Sequence, residues 1–223
     1  NEPADGIDCL SFDGLELYID SKRPGGYGDV NLWVLKRASI NEDWGPPENL
    51  GALVNDQGAA FGSISADGLT LYFTSDRPGG YGDLDLWATT RATKNDPWRT
   101  PTNLGPTVNS PNTDACPWIS ADGLELYFQS WRTGGYSGGD IYVARRATQS
   151  DPWAEPVNLG PLVNTKYDDL APSLSPDGLL LWLSSNRPGG QSNMEIWIAR
   201  RQAKSQPWSL PVNLGPRSIG PGT

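Results

Sequence analysis

Apolar and polar positions alternate along this chain in short runs, and the runs recur. Ser65 to Trp87 reads SADGLTLYFTSDRPGGYGDLDLW, and near-copies begin at Ser11, Ser120 and Ser175. The Asp-Gly pairs starting at Asp13, Asp67, Asp122 and Asp177 set a period of about 55 residues, which is the mark of a repeat architecture. Within one repeat Leu71 and Phe73 point one way and Thr70 and Tyr72 the other, the period of two of a β-strand. Large residues stand on both sides of that strand, so both faces are covered.

Each repeat parses into four strands. The first ends at the serine: Ile7 to Leu10, Phe61 to Ile64, Cys116 to Ile119 and Ala171 to Leu174. Asp-Gly then marks a tight hairpin, because Gly supplies the positive φ that such turns need. The second strand is LELYI, LTLYF, LELYF or LLLWL. A Gly- and Pro-rich loop follows, and the third strand is NLWVL, DLWAT, DIYVA or EIWIA. A polar connector ends in Trp44, Trp98, Trp153 or Trp208, and the P-x-N-L-G segment forms the fourth strand. No amphipathic helix of useful length is predicted.

Four-stranded units with two apolar faces, repeated four times, predict an all-β chain: a β-propeller of four blades, each of four antiparallel strands. Each blade packs between neighbours, and the lack of a capping repeat favours closure into a ring. The chain reads as one domain, 1–223, with repeats near 1–54, 55–108, 109–163 and 164–223. A larger ring, completed by self-association or by further repeats, is the rival arrangement. A monomer is expected, with a dimer as the alternative.

Composition sharpens this picture in a few places. The 26 Gly and 20 Pro suit a turn-rich β chain. The net charge of −9, without a basic stripe, argues against nucleic-acid binding. No apolar run is long enough to span a membrane. No segment reads as a signal peptide, so the chain is read as a mature or trimmed form. Cys9 and Cys116 sit at different offsets in their repeats and make no disulfide framework.

The motif S-P-D-G before an aromatic strand, S-x-R-P-G-G-x-G, D-L-W and W-x-x-P-x-N-L-G resembles the WD40-like PD40 propeller repeats, which are similar to the TolB repeats. The likeness runs over almost the whole chain. It implies a propeller and, since such repeats occur in bacterial periplasmic and envelope proteins beside peptidoglycan-binding domains of the OmpA type, an interaction module in the periplasm or at the cell surface. The third repeat departs from the pattern with Thr133, Tyr142 and an extra Gly139, and the fourth has Gln191 where the loop Tyr stands.

Residues that recur in every repeat are read as structural: the Asp-Gly aspartates, Arg23, Arg77, Arg132 and Arg187, and the four connector tryptophans. The set Asn31, Asp85, Asp140 and Glu195 could surround an axial cation through oxygen ligands, but a hydrogen bond at the start of the third strand is the preferred reading. No metal and no cofactor is expected. A hydrolase or lyase acting on a polysaccharide or small polar substrate would have no histidine and would need non-recurring carboxylates meeting in one cleft. The candidates are Asp8, Asp20, Asp114, Asp168 and Asp169.

The favoured function is non-catalytic binding of a protein or glycan partner at one loop face. The R-P-G-G-Y-G loops and the links between blades share that face. The candidate ligand contacts are Trp131, Tyr27, Tyr81, Tyr136, Tyr167, Asp114 and Asp168, since aromatic rings cover apolar area while polar groups orient a ligand. Trp131 is the least repeat-like of them, because Lys22, Asp76 and Asn186 fill its place elsewhere.

Overall fold

The structure is a computed structural model and describes residues 5–136 and 138–215. It holds four sheets of four antiparallel strands. The first is β1 (Asp5–Leu10), β2 (Glu16–Ser21), β3 (Asn31–Lys36) and β4 (Glu48–Asn49), followed by a single helical turn, α1 (Ala52–Asn55). The second is β5 (Ala60–Ile64), β6 (Thr70–Ser75), β7 (Asp85–Thr90) and β8 (Thr102–Asn103). The third is β9 (Asp114–Ile119), β10 (Glu125–Ser130), β11 (Asp140–Arg145) and β12 (Val157–Asn158). The fourth is β13 (Asp169–Leu174), β14 (Leu180–Ser185), β15 (Glu195–Arg200) and β16 (Val212–Asn213). In each sheet spatial order follows chain order, the meander of a propeller blade. No helix among the described residues is long and apolar enough to cross a membrane.

The predicted strands are present with shifted ends. The first strands of three blades begin at Asp5, Asp114 and Asp169, where pairing with Ser21, Ser130 and Ser185 continues beyond a bulge. In the second, third and fourth blades that bulge holds Phe61, Cys116 and Ala171 at positive φ. The bulge costs a ladder bond and frees an N–H. Cys116 N–H donates to Thr74 Oγ1 of the preceding blade at 3.0 Å, and Ala171 N–H to Gln129 Oε1 at 2.8 Å.

The core lies between blades. Tyr18, Leu32 and Val34 of the first sheet close on Ile64, Leu71, Phe73 and Trp98 of the second. Tyr72 and Leu86 meet Ile119, Leu126 and Phe128 of the third, and Tyr127, Ile141 and Val143 meet Leu174, Leu181, Leu183 and Trp208 of the fourth. The first strand of each later blade packs on the sheet before it: β5 on β1 to β3, β9 on β5 to β7, β13 on β9 to β11. Among the described residues no such packing joins the fourth sheet to β1. Ile196 is accordingly 50% exposed, whereas its equivalents Leu32, Leu86 and Ile141 are fully buried. Among the described residues the expected closure between the last blade and the first is therefore not made, and the four blades as described form an open arc.

In the first three blades the Asn after the fourth strand locks its blade. Asn109 Oδ1 accepts the N–H of Leu86 at 2.9 Å while its Nδ2 donates to the Leu86 carbonyl at 3.0 Å, and Asn55 and Asn164 treat Leu32 and Ile141 alike. In the fourth repeat Ile219 holds this sequence position, outside the described residues.

Candidate functional site

The loops between second and third strands are built from the recurring residues outward. In each, a serine hydroxyl takes the backbone N–H and Nε–H of the arginine two residues on, as Ser130 does for Arg132 at 3.2 and 2.8 Å. The guanidinium then stacks on the third-strand aromatic, 4.7 Å above Tyr142 for Arg132 and 5.1 Å above Trp197 for Arg187. It ends on the link between blades: Arg77 on the Leu53 and Val54 carbonyls, Arg132 on the Val108 carbonyl and Asp114, Arg187 on the Val163 carbonyl and Asp169. These arginines are structural, as their recurrence suggested.

The set Asn31, Asp85, Asp140 and Glu195 serves the same loops. Tyr27 N–H donates to Asn31 Oδ1 at 2.8 Å, Tyr81 N–H to Asp85 at 2.5 Å and Tyr136 N–H to Asp140 at 2.7 Å, and Gln191 N–H donates to Glu195. Asn49, Asn103, Asn158 and Asn213 add a second donor from the fourth strand. Among the described residues no cluster of acidic or sulfur groups could hold a metal ion.

With their backbones so fixed, the rings of Tyr27, Tyr81 and Tyr136 stand about half exposed on the loop face. Trp131 is 36% exposed and occupies a setting peculiar to the third blade. Its ring lies against Gly139, where a Cβ would come within 2.9 Å of Cζ2. A Cβ on Gly138 would meet Asp168 Oδ1 at 2.0 Å. The two glycines thus form a floor that admits Trp131 on one side and Asp168 on the other. Asp168 accepts from Gly139 N–H at 3.2 Å and from Asn186 Nδ2 at 3.3 Å, while its own N–H reaches Asn186 Oδ1 at 2.9 Å. The fourth blade is thereby tied to the third-blade loop. Tyr167 is half-buried beneath the Lys166 ammonium, 5.4 Å from the ring centre.

Asp114 does not reach this face. It is fully buried, accepts Ser110 N–H at 2.5 Å and pairs with Arg132 at 2.7 Å. Asp169, buried and paired with Arg187, is its equivalent in the fourth blade.

A second feature lies on the axis. The first strands of all four blades line one cavity of about 310 Å³, with Ile7, Asp8, Phe61, Cys116, Trp118 and Pro172 on its walls. Three bulge residues, Phe61, Cys116 and Ala171, are turned into it. Two of the five candidate carboxylates come together beside it: Asp8 is on its wall, and Asp20, on β2, lies within hydrogen-bonding reach of Asp8. Burial first, and the Asp20 carboxylate second, push the Asp8 carboxyl well above the usual carboxylate range, against the pull of the Gly62 N–H. Asp8 Oδ2 is buried without a hydrogen-bond partner. Asp20 lies flat on Gly6, where a Cβ would sit 2.0 Å from Oδ1. The Cys116 thiol is also pushed up, by burial and then by Asp8 and Asp20. Sequence reasoning named both aspartates as non-recurring but missed the cavity, whose signal was the irregular set Asp8, Gly62, Pro117 and Pro172 at one repeat position.

No protein-family model matches this chain, and no curated protein matches it. Solved structures do. A TolB from Agrobacterium tumefaciens superposes with a TM-score of 0.60 at 18% identity, over 92% of this chain and 62% of that one. The TolB of Acinetobacter baumannii gives 0.57 at 17% identity, over 89% of this chain and 41% of its own length. An endo-arabinase from Bacteroides thetaiotaomicron gives 0.62 at 18% identity, over 95% of this chain and 81% of that one. The fold class is thus a β-propeller like that of TolB, and the chain spans 62% of one TolB and 41% of the other. The same likeness extends to a named hydrolase, and a shared fold does not select between binding and catalysis.

Proposed function

We propose that this protein is a binding module that takes a glycan or peptide on its loop face. The observation that carries this reading is the Trp131 setting: an exposed indole, held beside an anchored carboxylate at Asp168, on a diglycine floor present in one blade alone. Recurring parts build the blades; this part breaks the repeat and faces solvent. Tyr136 on the same loop and Tyr167 on the adjoining link extend the apolar surface, and Tyr27 and Tyr81 continue it over the first two blades. The resemblance to envelope repeat proteins supports a place in the periplasm or at a bacterial surface. An array of cell-wall fragments, glycans and peptides tests the reading. Capture of a defined ligand supports it, and failure to bind any of them counts against it.

A second reading, a carboxylate-dependent hydrolase or lyase, is favoured by the meeting of Asp8 and Asp20 at the edge of the axial cavity, which Asp8 lines. Glycoside hydrolysis needs two carboxyls about 5 to 9 Å apart so that the scissile bond lies between them. A pair within hydrogen-bonding reach leaves no such space. Turnover of polysaccharide or nitrophenyl glycosides that is lost in Asp8→Asn would establish this reading in place of the first.

A further inference from the structure

The other buried carboxylates among the described residues have donors built for them. Glu16 has Arg91, Glu125 has Arg201 and Arg145, Asp114 has Arg132, and Asp169 has Arg187. Asp85 and Asp140 have backbone N–H groups and an asparagine. Asp8 and Asp20 are different. Among the described residues no Lys or Arg lines the cavity that Asp8 faces, and none pairs with Asp8 or Asp20. Asp8 Oδ2, like Asp140 Oδ1, is buried without a hydrogen-bond partner among the described residues, but Asp8 has no asparagine or arginine on its other oxygen.

An unpartnered buried oxygen costs on the order of 1–3 kcal/mol, and more when charged. A chain that supplies arginine to four other buried acids leaves this pair uncompensated, beside a cavity reached from the molecular axis. We propose that the axial cavity binds a primary ammonium group, with Asp8 on its wall as the direct anchor, Asp20 adding negative charge from beside Asp8, and the Trp118 and Phe61 rings against the attached carbon chain. An ammonium brings three donors and a positive charge. A neutral hydroxyl would bring one donor and leave the pair's repulsion in place. A hard divalent cation takes six or more oxygens, which two aspartates do not provide. The volume of about 310 Å³, at the low end of ligand cavities, admits a butyl chain with room to spare. Such a group could arrive on a free amine or on a lysine side chain.

Binding carries a proton signature. Burial and the Asp20 carboxylate raise the Asp8 carboxyl in the empty cavity; an entering ammonium favours the ionised pair, so in the pH range where Asp8 is protonated binding sends that proton to buffer. The charges balance as one cation bound for one proton released.

The test is calorimetry with n-butylammonium chloride, with sodium chloride at equal ionic strength and n-butanol as controls, in two buffers of different ionisation enthalpy. Expected are saturable binding of the amine, no binding of the alcohol, and a buffer-dependent heat that reports proton release. Asp8→Asn and Asp20→Asn should each weaken binding at least about tenfold, as loss of a buried charge partner does. An acetylated Gly-Lys-Gly amide separates the two sources: if it binds as well as the free amine, a protein-borne lysine is the fitting ligand. No amine binding, equal binding of butanol, or unchanged affinity in both variants would overturn the proposal. Trp131→Ala should leave amine binding intact, so this site and the loop-face site stand or fall separately.

Discussion

Arg91 of the second blade reaches back to Glu16 of the first, Nη2 to Oε2 at 2.6 Å, with both side chains buried. The same contact recurs between Arg201 and Glu125 at 2.8 Å, joining the fourth blade to the third. Between the second and third blades it does not: Thr70 stands at the acid's place, and Arg146 reaches across to the Tyr72 hydroxyl at 3.5 Å. The outer two interfaces are therefore keyed by buried ion pairs, and the middle one rests on Leu86, Phe128 and their neighbours. Removing one member of a buried pair strands the other, at about 3–5 kcal/mol. Glu16→Leu should lower stability by that amount in denaturant unfolding, and Glu16→Leu with Arg91→Met should recover much of it. Equal losses in the single and double variants would refute the keyed interface.

The connector tryptophans also face backward across interfaces. Trp98 is buried beneath Arg91, whose guanidinium lies 4.5 Å from the ring centre, and Trp208 meets Tyr127 edge-on at 6.4 Å. Trp44 has no preceding blade to enter and is only half-buried. Trp98→Ala should cost about 3–5 kcal/mol, as other large core truncations do, and Trp44→Ala distinctly less. Comparable melting curves for the two variants would contradict this assignment.

The open arc makes its own prediction. Leu86→Ala removes a fully buried side chain from an interface and should cost about 2–5 kcal/mol. Ile196→Ala, at the equivalent but half-exposed position, should shift stability by less than about 0.5 kcal/mol, as surface changes do. A large loss at Ile196 would show that the outer face of the fourth sheet is covered in solution.

Asp8 and Asp13 should respond to pH with opposite signs. Asp13 is held down to about 2: burial acts to raise it but is outweighed by hydrogen bonds from Lys94, Ser11 and the Leu15 N–H. Its contribution is present above the unfolded value of 3.8 and is lost as pH falls from there towards about 2. Asp8 is raised, by burial and then by Asp20. Between its unfolded and folded values the native state keeps a proton that the unfolded chain has lost, so stability falls as pH rises through that window. Asp8→Asn should therefore raise the melting temperature at pH 7, and the gain should vanish below the unfolded carboxylate range. A variant less stable than the parent at pH 7 would reverse the assignment.

Much of the fold was legible because its signals were local and repeated. Asp-Gly turns, alternating strands and the P-x-N-L-G segment each appeared four times, so an error in one repeat was visible against the other three. The Ser-x-Asp-Gly turn shows why: Ser65 Oγ donates to Asp67 at 2.6 Å, Leu69 N–H donates to that carboxylate at 2.9 Å, and Gly68 takes φ 74°. Closure was not legible, because it depends on how the fourth sheet meets β1 and no local residue encodes that meeting. At the candidate sites the departures from the repeat were the guide. Trp131 with Gly139, and Asp8 with Asp20, were each visible as residues without counterparts. Which of them would meet could not be read from the sequence: Asp8 and Asp20 come together only once β1 pairs with β2, with Gly6 opposite Asp20. Asp114 looked equally irregular, yet Arg132 consumes it.

Calorimetry of wild type and Trp131→Ala against the ligand captured from the array tests the loop-face site most directly. The site predicts a loss of about 2 kcal/mol or more, roughly thirtyfold in affinity, as for an aromatic hot spot, with an unchanged melting curve. Unchanged affinity in a folded variant would remove Trp131 from the site and, with it, the loop face as the place where this propeller meets its partner.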